Sequence, residues 1–291
     1  MGLRKKIKSV KSVSKLWFAL RAQQDKVALA YGFVNASRAL NVFSANSAGS
    51  AEAKAKQSVL SANLTFPFLA TMAANLHGPV KIYSLEEFIK TVGVNSEKLA
   101  AQLKERFDYH GSDKSTRHNY HLVYAAILSN IKKPEAMLEI GIGSINKNIV
   151  SNMGANGKPG ASLRAFKDVL GEANIYGADY DKDILIEEER IKTFFVDQTK
   201  PETFAALEKG IPDQLSLIID DGLHAPDANI ATMSFALEMQ KNVPDAWFLV
   251  EDIPESAISI WQTVAHLLPA QYRSYLVKTK FAHIFALQKI S

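Results

Sequence analysis

Two short stretches set acidic side chains where apolar strands should end: residues 215–224 read LSLIIDDGLH, and residues 246–252 read AWFLVED. Both apolar runs have the length and continuity of buried strands. Neither strand needs Asp220 and Asp221, or Glu251 and Asp252, for its own folding. If the two strands are neighbours, four carboxylates converge. Unpaired, they repel one another and their pKa values rise unless a cation stands among them. An all-oxygen cluster in a chain with no cysteine favours a hard ion, Mg²⁺ or Mn²⁺. His224, three residues past Asp221, adds an imidazole that titrates near neutrality and can act as a general base. An ion that acidifies a hydroxyl, beside a base that removes its proton, makes a nucleophile from an alcohol.

A second constellation lies upstream, where an earlier strand ends LEIGIGSIN at residues 138–146. Gly141 and Gly143 let the backbone come close to a ligand, and Glu139 can receive a cationic group. A dinucleotide fingerprint would have a third glycine at 146, where the chain has Asn146. The next strand ends in Asp179, placed for ribose hydroxyls, and the third in Asp197 and Gln198, placed for an adenine edge. One acid per successive strand end is more specific than the glycines alone.

The elements that must position these residues begin at Pro134. Strands AMLEIGIG, NIYGADYD, RIKTFFVDQT, LSLIIDD and AWFLVED alternate with the helical segments SLRAFKDVLG, PETFAALEKG, ANIATMSFALEMQ and SAISIWQTVAHLL. The chain closes with YRSYLVKT and FAHIFALQKI, too near one another to pair other than antiparallel. This alternation predicts an α/β fold: a doubly wound, mostly parallel, seven-stranded sheet over residues 106–291. Ligands in such sheets sit beyond the C-terminal strand ends at the topological switch point, where every residue singled out above falls.

Residues 1–105 read as a helical appendage. Ser-capped, acid-led helices are predicted at SLEEFIKTVGV and SEKLAAQLKERFDYHG, and residues 44–62 as a loop leading into another helix. Residues 1–60 hold eleven Lys/Arg against two Asp/Glu, so the basic balance of the chain is concentrated there. Within RKKIKSVKSVSKLWFALRAQ the apolar residues Ile7, Val10, Val13, Leu16, Trp17 and Leu20 recur at helical spacing among lysines. A basic amphipathic helix of this kind suits packing on the main domain or another subunit, or peripheral contact with an anionic membrane through residues 1–25. Without interleaved stacking aromatics, no nucleic-acid partner is expected.

A resemblance adds to this reading. Glu139 to Gly143, Asp179, Asp197 and the C-terminal antiparallel pair resemble the site and last strands of class I S-adenosylmethionine-dependent methyltransferases. YHGSDKSTRHNYHLVY at residues 109–124, GKPGASLRAF, IDDGLH and VEDI together resemble the metal-dependent sugar O-methyltransferases of the macrocin/mycinamicin type. The resemblance covers residues 108–255 well. It implies S-adenosyl-L-methionine as cofactor, with Glu139, Gly141, Gly143, Asp179, Asp197, Gln198 and Asp220 around it and Asp220 at its amino-acid end. It implies Asp221, Glu251 and Asp252 as ligands of Mg²⁺ or Mn²⁺, and His224 as the base. Lys114 and His118 are implied as pocket residues without a role. The acceptor would be a sugar hydroxyl on a surface polysaccharide, its precursor or a glycosylated natural product. A homo-oligomer is expected, because a helical appendage offers a surface for one.

Absent cysteine excludes disulfides, thiolate metal sites and cysteine nucleophiles. No run near the roughly 20 apolar residues of a membrane span is read from the sequence, and a cytoplasmic protein, with contact at the inner membrane face, is expected. The rival on the same sheet is a nicotinamide-dependent oxidoreductase. Asn146 and the lack of a Tyr-x-x-x-Lys pair argue against it. A non-catalytic scaffold is a second rival, and the intact Asp221, His224, Glu251 and Asp252 argue against that. His77, His266 and His283 are read as structural, Trp247 and Trp261 as core, and the EEER run at 187–190 as a solvated turn.

Overall fold

The computed structural model describes residues 40–93 and 95–290. The expected basic helix within residues 1–25 lies outside them. The chain divides into two compact units, residues 1–72 and 73–291. That boundary precedes the expected one near residue 105. The reason is core sharing: helices α2 (Leu85–Val92) and α3 (Glu97–His110) bury Phe88, Val92, Leu103 and Phe107 in the same cluster as the strands.

Helix α1 (Ala51–His77) replaces the loop expected over 44–62 from Ala51 onward. Small residues looked loop-like, yet seven of its residues are alanine, the strongest helix former, and Glu52 complements the N-terminal dipole. Thr71 donates its hydroxyl to the carbonyl of Pro67, inside the helix, at 2.9 Å. Charge is absent from Gln57 to Val80, and by length and composition α1 could cross a membrane, a feature missed in the sequence.

Residues 73–291 carry a nine-stranded sheet in the order β1-β8-β9-β7-β6-β2-β3-β5-β4. The seven expected strands are β2 (Ala136–Ile140), β3 (Asn174–Asp179), β5 (Ile191–Phe195), β6 (Leu215–Asp220), β7 (Trp247–Ile253), β8 (Tyr272–Lys278) and β9 (His283–Lys289). Two short strands extend the edges. β1 (Ile82–Ser84) runs parallel to β8, and β4 (Glu187–Glu188) runs antiparallel to β5. The EEER run is therefore an edge strand, with Glu188 bonded to Arg164 at 2.5 to 3.2 Å and Arg190 donating to the carbonyls of Lys167 and Ala173. β9 enters antiparallel between β7 and β8, as its spacing from β8 requires.

Side-chain alternation sends apolar residues to both faces, which is why the central strands read as continuous runs. Along β7, Trp247 and Leu249 join the face covered by α2, α3, α4 (Tyr120–Leu128) and α5 (Ala161–Val169). Phe248 and Val250 join the face covered by α6 (Pro201–Gly210), α7 (Pro226–Met239) and α8 (Ile258–Leu267). The winding reverses where β2 meets β6, so the ends of β2, β6 and β7 stand side by side: Ile140 pairs with Asp220, and Asp220 with Val250.

Candidate active site

β2 runs into Gly141 and Gly143, both at positive φ, +88° and +92°. The need for Gly141 comes from another strand. A Cβ there would lie 2.1 Å from the Asp221 carbonyl oxygen, so the two strand ends cross in backbone contact. At Gly143 the neighbour is the side chain of Met153, from a long loop that follows β2. That loop is pinned by Ser151, which donates to the Gly222 carbonyl at 2.5 Å, and by Met153, whose amide donates to Ser144 at 2.8 Å.

Asp179, at the end of β3, accepts the amides of Ile142 at 2.9 Å and Asp181 at 2.8 Å. It ties down the glycine turn, and burial raises its pKa despite those amides. Asp197 accepts from the amide and hydroxyl of Thr199 and from Lys200; the Thr199 hydroxyl is the chief cause of its lowered pKa. Gln198 does not keep its amide for an adenine. Its nitrogen donates to Asp220 at 2.9 Å and Thr232 at 2.7 Å, and its oxygen accepts the Leu223 amide at 2.8 Å. Asp220 departs from its expected place at the amino-acid end of a cofactor. It is fully buried outside the cavity wall, bonded to Gln198, Asn229 and the Gly222 amide. The cause is alternation: successive residues at a strand end face opposite sides, and Asp221, not Asp220, faces the cavity.

The cation that the four converging acids require is supplied by the protein. Lys114 Nζ stands 2.7 Å from Asp221 Oδ2, 2.7 Å from Glu251 Oε2 and 3.1 Å from Glu139 Oε1. Burial alone would depress this amine; the three carboxylates outweigh it and hold it well above its usual pKa. Glu139, expected to meet a ligand's cationic group, instead meets Lys114 and the hydroxyl of Ser162, and is fully buried away from the cavity. Glu251, expected as a metal ligand, has its second oxygen taken by the Tyr124 hydroxyl. Tyr120, the first residue of α4, donates to Asp252 Oδ1 at 2.5 Å, and His118 Nδ1 lies 3.5 Å from the same oxygen.

Burial, only partly offset by Lys114, pushes the pKa of Glu251 up to about 7, and burial raises Glu139 too. A carboxyl raised from 4.5 to about 7 on folding keeps its proton in the native state while the unfolded chain has lost it. Stability is therefore greatest below the unfolded value and falls as pH rises across that window, by on the order of 3 kcal/mol. Thermal melting of the ion-free protein is expected to show this decline, and Glu251→Gln to flatten it; an unchanged slope would exclude Glu251 as its source.

A smaller set remains open to solvent. Ligand atoms of Asp221, His224 and Asp252 lie within 4.8 Å of one another. His224 Nε2 is 3.9 Å from Asp221 Oδ1 and 3.9 Å from Asp252 Oδ2, too far for hydrogen bonds. Both His224 and Asp252 have left-handed backbone, φ +56° and +54°, uncommon for residues with a Cβ. The β7–β9 register shifts between Val250 and Ile253, and this irregularity turns Asp252 outward. These three residues line a cavity of 530 Å³ together with Gly141, Gly143, Asp179 and Asp197. The sequence reading thus placed the cavity correctly. It missed Tyr120 and Tyr124 altogether, and it named Lys114 without a role, because only the fold carries the 112–124 segment across to the strand ends.

No family model matches the chain. A curated relative, the 8-demethyl-8-alpha-L-rhamnosyl tetracenomycin-C 2'-O-methyltransferase of Streptomyces olivaceus, is 28% identical over 148 residues, 50% of this chain and 36% of that protein. Among solved structures, the MycE methyltransferase of the mycinamycin pathway, in complex with Mg, SAH and mycinamycin VI, superposes with a TM-score of 0.50 at 20% identity. The match covers 65% of this chain and 53% of that one. The fold is that of the S-adenosylmethionine-dependent methyltransferases. The chain thus spans about a third of the length of the curated relative and about half of that of MycE. In methyltransferase terms the cavity opens at the expected end of the sheet, beside the β2–β6 switch point.

Proposed function

We propose that the protein is an S-adenosylmethionine-dependent O-methyltransferase that acts on a sugar hydroxyl and uses a divalent ion held by Asp221 and Asp252. The observation that carries this reading is the trio Asp221, His224 and Asp252 in the wall of the cavity that also contains the Gly141–Gly143 turn. Two further facts favour it: the curated relative is named as a sugar O-methyltransferase, and MycE is described in complex with Mg and SAH.

The residues fit such an ion. Mg²⁺ takes oxygen ligands at about 2.1 Å, so two ligands of one ion stand about 3 to 4 Å apart, as the carboxylate oxygens do from His224 Nε2. Hard carboxylate oxygens suit Mg²⁺ or Mn²⁺. When bound, the ion orients vicinal hydroxyls of the acceptor and lowers the pKa of the one that reacts.

The remaining steps belong to the chain. His224 accepts the hydroxyl proton at Nε2, a nitrogen that no protein donor or acceptor holds within hydrogen-bonding distance. The alkoxide oxygen forms a bond to the methyl carbon as the carbon–sulfur bond breaks. The products are a methyl ether and S-adenosylhomocysteine, and the proton stays on His224. Asp179 and the glycine turn it secures shape the cofactor half of the cavity, and Asp197 stands at the next strand end. An acceptor held with its oxygen in line with the sulfur–methyl bond reacts as if intramolecularly.

The test is transfer of labelled methyl from S-adenosylmethionine into sugar-containing acceptors, with and without EDTA. Label is expected in a sugar methyl ether, EDTA should reduce incorporation to background, and added Mg²⁺ should restore it. Incorporation that ignores EDTA would remove the ion from the mechanism. Reduced nicotinamide binding in place of S-adenosylmethionine would return the oxidoreductase reading.

A further inference from the structure

Resting on that reading of the ion site, we infer that Lys114 is a positioning residue that withholds Glu251 from the metal and presents Asp221 to it through a single oxygen. An ammonium has three N–H donors. At Lys114 they meet three carboxylates, those of Asp221, Glu251 and Glu139, inside a site where Lys114 itself is only 4% exposed. The donor set is saturated.

The consequence falls differently on each acid. Glu251 gives Oε2 to Lys114 and Oε1 to Tyr124, and at 1% exposure it has no oxygen left for an ion in the cavity. Asp221 gives Oδ2 to Lys114 and keeps Oδ1, the oxygen nearest His224 Nε2. Asp252 is treated in parallel by a different residue: Tyr120 takes its Oδ1, and Oδ2 is left near the same imidazole nitrogen. Two adjacent-acid pairs, Asp220–Asp221 and Glu251–Asp252, are thereby sorted. One member of each is engaged in the interior and the other offers one oxygen to the cavity.

Partners that hold the first ligands of an ion set both their orientation and the ion's affinity. A fixed ammonium beside the ligands also opposes a second positive charge. Lys114 thus lowers affinity while it fixes geometry, which keeps coordination positions free for acceptor hydroxyls. Nothing in this role requires Lys114 to touch the substrate or the cofactor.

Mn²⁺ titration of the full-length protein, followed by electron paramagnetic resonance, reads the role without turnover. Glu251→Gln is expected to leave Mn²⁺ affinity within about threefold of the unsubstituted protein, and Asp252→Asn to weaken it at least tenfold. Lys114→Met should tighten Mn²⁺ at least tenfold, and Lys114→Met with Glu251→Gln should abolish that gain, since Glu251 becomes a ligand only once released. Lys114→Met leaves three acids without their cation and can fail to fold; Glu251→Gln alone then decides. A tenfold or greater loss of Mn²⁺ in Glu251→Gln would make Glu251 a ligand and overturn the inference while the ion site stands. No Mn²⁺ binding by the unsubstituted protein would overturn both.

Discussion

His224→Ala is expected to lower the rate of methyl transfer by about 10² to 10⁴, the range for removal of a general base. S-adenosylhomocysteine binding by calorimetry and Mn²⁺ affinity should change little, since Asp221 and Asp252 keep their oxygens. A histidine in this place invites a structural reading, and the backbone separates the two. His224 sits at φ +56°, a conformation that costs a residue with a Cβ about 1 to 2 kcal/mol and glycine almost nothing. Its ring Nδ1 is buried without a hydrogen-bond partner, so the side chain offers the fold little polar stabilisation in return. His224→Gly should therefore raise the melting temperature while activity is lost. Strain retained at a residue the fold would be better without is the mark of a site selected for chemistry. A glycine variant that melts lower than the parent would return His224 to a structural role, and a variant that loses Mn²⁺ would make it a metal ligand.

Asp252 shares this left-handed backbone and the same cavity, and the pair shows what a sequence can and cannot disclose. Strand–helix alternation, the C-terminal hairpin and the convergence of the β6 and β7 ends follow from apolar runs and turn residues, and all are present. The demand for a cation among the acids also follows from charge alone. Its source does not. Lys114 precedes β2 by about twenty residues in a segment with no regular periodicity, and only the packing of α4 against the strand ends brings it to Asp221 and Glu251. The division of labour within IDD and VED was legible in part. Period-two alternation separates Asp220 from Asp221 once the strand's end is known, but the irregularity at Glu251–Asp252 leaves no mark in residue types. Edge strands of two and three residues, such as β4 and β1, are below what any pattern resolves. Helix α1 was misread for the opposite reason. Small residues suit loops and helices alike, and Ala carries the stronger preference.

The largest stability effect is expected from a single methyl group. Gly141→Ala should destabilise the protein by on the order of 3 to 5 kcal/mol, read as a fall in the denaturation midpoint with an unchanged slope. Two costs combine. The residue occupies φ +88°, where any Cβ is strained. The added atom would lie 2.1 Å from the Asp221 carbonyl oxygen and 2.6 Å from Gly222 Cα, both backbone atoms of a turn fastened by Gln198 and Ser151. Backbone held in that way cannot swing aside as a flexible side chain does. Gly143→Ala is the control. Its φ of +92° is as strained, but the obstructing atoms belong to the Met153 side chain, which can rotate away. The difference between the two variants therefore isolates the crossing of β2 and β6, the contact that sets Asp221 beside the glycine turn. If both variants lose the same stability, conformation alone accounts for the glycines and the close crossing contributes nothing.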